Sequence, residues 1–453
     1  MLKLLGLDDA VTADEVRDLH KEYLNSGLVQ LMRLLHFDRV FVRADGCHVW
    51  DERGDDYLDC LGGYGALNLG HNPKVVWEAI QRVSQMPNIL QASLGRMPAI
   101  LAHNLAQVTP GKLQRTFFSN SGAEAVECAL KMARAATGRR VIISLEGSFH
   151  GKTFGALSAT GQPKYQEPFV PMVPGFETVP YGDVGIPALY DRLRRRDVAA
   201  FIVEPILGEG GVLLHSPGYL PNVAKLCREY GTLLILDEIQ TGLGRTGRLF
   251  AAEHEGIEPD IICLAKSLGG GCISIGATVT TDEVWQKTFG GINKCLRHTS
   301  TFGGNTIACA AGIAALKAIV EGGLSERAEV VGNFLLREFR DLAEKYDFIK
   351  EVRGAGLLIG IEFNVPKGWI GKQAYEFVGS MVAGALLNEY RVITAYTLNN
   401  PATVRIEPPL VISDQDAERC VEAVRKVLEK NSSSIRLALT SAGTMVRGLF
   451  SRG

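Results

Sequence analysis

The sequence predicts an α/β protein whose larger part is built on a mostly parallel sheet and whose C-terminal part is a smaller α+β unit. From Lys112 onward, short apolar runs alternate with stretches of helical periodicity, the pattern of strands joined by crossover helices. Two of those runs, 233–236 and Ile261–Leu264, are too short for a typical helix and end abruptly in charge: Asp237 after the first, Lys266 one residue beyond the second. Near Gly322 the texture changes, and residues 324–430 read as helix, strands and helix. Ligands of open α/β sheets bind outside the carboxyl ends of the strands, so that carboxylate and that amine would face one crevice.

Composition narrows the function. At 453 residues, 46% of them hydrophobic and 50 of them glycine, the chain can bury a large core and is rich in tight turns. A formal net charge of −2 leaves no electrostatic footprint for nucleic acid. The nine cysteines are scattered with no CxxC pair, which argues against a zinc ribbon or a disulfide framework and fits a reducing cytoplasm. The opening MLKLLGLDDA is too short an apolar stretch for a secretory signal, and no run is long enough to span a bilayer. The expectation is a soluble, cytoplasmic protein with no integral membrane segment.

In chain order, Thr12 to Glu15 reads as a capping box opening a helix that Asn25 and Gly27 stop. Residues 40–42 and 48–50 read as a hairpin around Asp45-Gly46. The loop 58–73, LDCLGGYGALNLGHNP, is Gly-rich, with turns that bring Tyr64 and Asn68 together. A strand at 115–118 then leads into Asn120-Ser121-Gly122-Ala123-Glu124, which opens a helix running to about Ala136. Ser121, Gly122 and Ala123 thus lie at a helix N-terminus, where unpaired amides favour a phosphate, although an ordinary N-cap serine has the same signature.

The next strands, 141–144 and 200–203, are followed by Phe149-His150-Gly151 and by Glu204, with Glu209 in a glycine loop just beyond. Phe149 suits a ring-stacking platform or plain core, and His150 suits a structural hydrogen bond. Lys266 alone would be an ordinary solvated strand terminus, and Asp237 alone a helix N-cap. Their convergence with the ends of three other strands, 115–118, 141–144 and 200–203, is what points to chemistry on a bound cofactor. The match of residues 242–247, GLGRTG, to the dinucleotide fingerprint lacks a strand directly before it and a helix opening within it, so it does not indicate a nicotinamide site. Further on come a polar loop at 298–305 before an Ala-rich helix, and Arg405 on a β-like run. Last is a basic tail from Asn431 with apolar residues at helical spacing, which reads as a frayed terminus, a self-packing helix or an interfacial helix.

With these residues in view, the chain resembles the class III, or ω-amino-acid, aminotransferases among the fold-type I pyridoxal 5'-phosphate (PLP) enzymes. The motifs SGAEAVE, FHGKT, EPILGEGG, LDEIQTGLGRTG, LAKSLGGG and TSTFGGN occur in the family's order, and the resemblance runs from about Phe37 to about Leu428. It implies a large domain with a mostly parallel seven-stranded sheet, at 76–323, and a small α+β domain, at 324–430. Residues 1–75 would pack with the small domain, and 431–453 would form a basic amphipathic tail.

The resemblance also implies roles. Lys266 would form the Schiff base with PLP and Asp237 would pair with the pyridine nitrogen. Gln240 would contact the ring hydroxyl, Phe149 and Ile239 would sandwich the ring, and His150 and Glu204 would complete the ring's surroundings. Ser121, Gly122 and Ala123 would hold the phosphate, joined by Thr301 from the partner subunit of a homodimer with active sites at the interface. Arg405 would bind an acceptor's α-carboxylate, Glu209 would pair with it in the acceptor's absence, and Tyr64 would help to read the donor. No metal is expected.

Within the family the sequence is most similar to putrescine and related diamine aminotransferases, in LDCLGGYG, LNLGHNP, TPGKL, FHGKTFGALSAT and the segment 398–410. It departs from the family pattern at Leu207, where Gln is usual, and at Thr306, where Pro usually follows the asparagine. The expected reaction moves an amino group from a small-molecule amine donor, a diamine or ω-amino acid, to a 2-oxo acid such as 2-oxoglutarate or pyruvate. Alternatives are an acetylornithine or ornithine aminotransferase, a PLP-dependent aminomutase or decarboxylase, and a non-catalytic partner protein on the same fold.

Overall fold

The computed structural model describes residues 4–90, 92–365 and 369–430. Its centre is a seven-stranded sheet in the spatial order Leu113–Ser119, Gly276–Thr281, Ile261–Leu264, Leu233–Asp237, Val198–Val203, Val141–Leu145, Phe176–Val179. Gly276–Thr281 runs antiparallel to both neighbours, and the remaining pairings are parallel. Val198–Val203 is buried at every position, as an apolar run covered on both faces must be. Alternate residues divide between two cores: Phe201, Val203, Leu234 and Leu236 face one, Ala200, Ile202 and Ile235 the other.

The strands extend past their expected bounds because register, not apolarity, sets their ends. Asp237 still pairs with Cys263, so it is the last strand residue rather than the first beyond it. Helix Gly122–Thr137 covers one face, starting at the N-cap Ser121 and stopping at Gly138, whose φ of 69° is left-handed.

The Thr12 capping box is present, with Glu15 N–H donating to Thr12 Oγ1 at 3.3 Å and Thr12 N–H to the Glu15 carboxylate at 2.8 Å. The helix does stop at Asn25, but Asn25 also caps a second helix, Ser26–Leu34, by accepting from Leu28 N–H at 3.0 Å. Gly27, expected to stop a helix, lies inside this one. The hairpin Phe41–Asp45 and His48–Asp51 joins Asp56–Asp59, and Val392–Ile393 adds a fourth, parallel strand. Leu58 and Cys60 accordingly lie in one core with Val331, Leu335, Val404 and Cys420.

The C-terminal part is helix Leu324–Lys345, the antiparallel sheet Ile349–Ala355, Leu358–Phe363, Thr403–Ile406, Ala395–Tyr396, and helix Asp414–Lys430. A further helix, Trp369–Tyr390, interrupts the strands, which the sequence pattern alone did not indicate. The basic tail from Asn431 lies outside the described residues.

The GLGRTG run has a structural role. Residues 238–250 are turns, with only the short helical turn Ala251–His254 after them. Its arginine, Arg245, is fully buried and donates to Leu357 O at 3.0 Å, Pro408 O at 2.5 Å and Asn68 Oδ1 at 2.5 Å. One guanidinium therefore joins the sheet's central loop to the Gly-rich loop and to two C-terminal segments. Asn68 is held in this contact and does not join Tyr64, which lies against Arg405 instead.

Helix Leu324–Lys345 docks through Gly332, where an added Cβ would stand 2.1 Å from Gly356 O. Gly332→Ala should therefore destabilise the fold by about 1–3 kcal/mol, read as a lower urea midpoint with an unchanged m-value.

Candidate active site

The parallel strands all release their chains at one edge, over a cavity of about 940 Å³. Ser121, Gly122, Ala123, Phe149, His150, Glu204, Glu209, Asp237, Ile239, Gln240, Lys266 and Tyr64 all line it. Arg405 stands just behind, with its guanidinium carbon 5.1 Å from the centre of the Tyr64 ring. Thr301 does not line it. Its loop is nevertheless tied to the start of the Ser121 helix, because Asn120 Nδ2 donates to Ser300 Oγ at 2.9 Å.

Asp237 is withdrawn from water; its Oδ2 lies 2.8 Å from His150 Nδ1 and its Oδ1 accepts from Ile239 N–H at 3.2 Å. His150 Nε2 is buried without a hydrogen-bond partner among the described residues. Glu204 carries Phe149 and the glycine loop: its two carboxylate oxygens accept from Phe149 N–H at 2.9 Å and Gly208 N–H at 3.1 Å. Burial, opposed by the nearby His150 and reinforced by the Asp237 charge, pushes its pKa up to about 7.

Lys266 sits at φ 48°, in the left-handed region that side chains other than glycine rarely adopt. Burial holds its amine below the usual lysine range, against the pull of Glu407. Ile239 closes onto Gly122, where a Cβ would come within 2.9 Å of Ile239 Cδ1, so the helix start meets the cavity with backbone alone.

A buried charge cluster backs the cavity. Arg405 Nη2 donates to Glu209 Oε1 at 2.9 Å, while Arg405 Nε and Nη1 lack hydrogen-bond partners among the described residues. Burial alone would raise the Glu209 pKa, but Arg405 outweighs it and holds the carboxyl below its usual range. The Glu209 Oε2 accepts from Leu398 N–H at 3.0 Å, tying this pair to the 396–400 loop.

Sequence reasoning missed Glu407. It is fully buried, accepts from Gln240 Nε2 at 2.9 and 3.0 Å, and lies 3.6 Å from Arg405 Nε and 4.0 Å from Arg245 Nε. Gln240, expected on a ring hydroxyl, thus has its amide nitrogen on Glu407. A signal existed: Glu407 follows Arg405 by two positions at a strand end, so the two share a face. Leu207, one of the departures from the family pattern, is fully buried in the sheet core and does not line the cavity. An exposed cavity-lining cation, Lys152, also escaped notice; it lies over the Tyr165 ring, 5.4 Å from its centre.

Residues 33–428 match the model of the aminotransferase class-III family. The chain belongs to the class III aminotransferases. It is similar to an ornithine aminotransferase of Toxoplasma gondii, at 33% identity over 93% of this chain and 97% of that one, with a TM-score of 0.82. An (S)-enantioselective ω-transaminase of Thermomicrobium roseum is similar at 30% identity over 93% and 99%, with a TM-score of 0.85. An acetylornithine aminotransferase of Elizabethkingia anophelis is similar at 30% identity over 93% and 100%, with a TM-score of 0.76.

Class III aminotransferases are PLP enzymes of fold type I, and this one has the corresponding seven-stranded α/β architecture. The residues present fit that cofactor. A half-buried amine, a buried carboxylate, an orphaned imidazole nitrogen and a side-chain-free helix start converge on one cavity. Among the described residues, no group of three or more His, Cys, Asp or Glu side chains is placed to hold a metal ion. No single helix among them is long and apolar enough to cross a membrane.

Because the Glu204 pKa is raised in the fold, the stability it contributes is full below pH 4.5 and is lost as pH rises to about 7. Glu204→Gln should remove that slope, worth roughly 3 kcal/mol across the window, from urea midpoints measured between pH 4 and pH 8.

Proposed function

We propose that this class III aminotransferase takes the amino group of a terminal primary amine, a diamine such as putrescine or an ω-amino acid, and passes it to a 2-oxo acid such as 2-oxoglutarate or pyruvate. The supporting observation is the buried Arg405–Glu209 pair: a cation whose Nε and Nη1 lack hydrogen-bond partners among the described residues, and an acid already in place to neutralise it.

A guanidinium grips a carboxylate in a two-pronged hydrogen bond, so Arg405 suits the α-carboxylate of a 2-oxo acid once Glu209 turns aside. A donor without an α-carboxylate would leave Arg405 an unpaired buried charge, which is costly, and Glu209 cancels that cost by staying where it is. One site then serves both halves of a ping-pong reaction.

The cofactor, when bound, supplies the electron sink that lets a C–H bond beside nitrogen ionise, and it carries the amino group between the two halves. Around it, the residues divide the work. Lys266 Nζ, kept short of protons by burial, would take the proton from the donor carbon that bears the nitrogen and return it to the carbon on the far side of that nitrogen. Asp237, oriented by His150, would hold a proton on the ring nitrogen. Phe149 and Ile239 would flank the ring, and the amides of Ser121, Gly122 and Ala123 would take the phosphate. Thr301, outside its own chain's cavity, would complete the phosphate site of a second subunit in a homodimer. The nine unpaired cysteines support a cytoplasmic setting.

Two observations bear on the donor's far end. No lining carboxylate is unengaged, whereas Lys152 lacks a carboxylate partner among the described residues, which favours a distal carboxylate over a distal ammonium. The ornithine and acetylornithine aminotransferases among similar structures support a second reading in which the donor is an ornithine. Tyr64 and the 396–400 loop would distinguish the two.

Purified protein with PLP should be yellow and should bleach when a donor amine is added without acceptor; Lys266→Ala should lower turnover by at least about 10⁴-fold. Glu209→Ala should slow the amine half-reaction about tenfold or more while sparing the 2-oxo acid half, and Arg405→Met should do the reverse. Equal effects on both halves in single-turnover traces would refute the Arg405–Glu209 exchange.

A further inference from the structure

The active cavity, about 940 Å³ that would hold the cofactor and the donor together, carries a run of apolar side chains in its wall. One part of its wall is Leu31 and Met32 of helix Ser26–Leu34, its C-cap residue Leu35, and Phe37 and Leu387.

This wall is held in place by hydrogen bonds. Phe37 N–H donates to Met32 O at 2.7 Å, Asn388 Nδ2 to Leu35 O at 3.4 Å, and Arg39 Nη2 to Asn388 Oδ1 at 2.7 Å. Yet only Val29 of the helix is buried, and Leu31 remains 42% exposed. The helix therefore offers leucine and methionine surface to the cavity, and the carboxylates that line the cavity, Glu204, Glu209 and Asp237, all come from the sheet edge.

We infer that this wall binds the spacer of the donor: the enzyme selects terminal amines whose reacting carbon is followed by a long unbranched polymethylene chain, longer than that of putrescine. The inference rests on the terminal-amine reading above and adds what lies between the two ends of the molecule. Each methylene placed on the wall leaves water for an apolar surface. A short diamine would instead bring its far ammonium against leucine and methionine with no free anion nearby.

The test is single-turnover bleaching of the full-length PLP enzyme by alkylamines from butylamine to decylamine, with putrescine, longer diamines and ω-amino acids as parallel series. The specificity constant should rise by about two- to fourfold per methylene until the wall is covered, and putrescine should rank below the longer diamines. Leu31→Asp should flatten that rise, whereas Leu24→Asp, exposed on the preceding turn and outside the cavity, should leave the slope as it is. A flat chain-length series in the parent, as expected if a second copy of the chain covers the wall, would overturn the spacer inference while leaving the terminal-amine reading intact. Bleaching by α-amino acids and by no terminal amine would overturn both.

Discussion

Charge withdrawn from water is the constraint on which this structure depends. Asp237, Glu204, Glu209, Arg405, Glu407 and Arg245 are all buried, and an ion survives there only beside its opposite or among donors that satisfy it. The fold meets the condition with a chain of contacts from Glu209 through Arg405 and Glu407 towards Arg245, reinforced by the Gln240 amide and by backbone groups. Of the nine buried side-chain atoms without a hydrogen-bond partner among the described residues, His150 Nε2, Thr394 Oγ1 and Arg405 Nε and Nη1 lie at or just behind the cavity wall. Buried polar groups without partners are rare, and four at one cavity fit a site that takes a ligand.

Much of this was legible in the chain because parallel sheets convert sequence order into spatial convergence. Once the apolar runs at 233–236 and Ile261–Leu264 are strands, Asp237 and Lys266 must emerge at one edge, and the same holds for Ser121, Phe149 and Glu204. The family's motifs added Arg405 and Glu209, whose pairing spans far too many residues for any local pattern to show.

What escaped was tertiary in origin. Glu407 matters only because Arg405, Gln240 and Arg245 arrive from three other segments. Helix Ser26–Leu34 was hidden because Asn25 reads equally as the end of one helix and the cap of another. The family pattern gives Gln240 a ring contact; its amide nitrogen also donates to Glu407, a partner the pattern does not name. The GLGRTG run shows the opposite error avoided. Its glycines permit left-handed turns, as at Gly244 with φ 93° and Gly247 with φ 92°, and what they place is a buried arginine, not a phosphate.

That arginine has a mechanical consequence. Arg245 Nη1 and Nη2 hold Asn68 from the Gly-rich loop and the carbonyls of Leu357 and Pro408 together on one planar group. Releasing any one of these acceptors would cost a charge-assisted hydrogen bond to a buried cation. The first hundred residues and the last hundred, distant along the chain, are thereby fastened to one side chain behind the cavity.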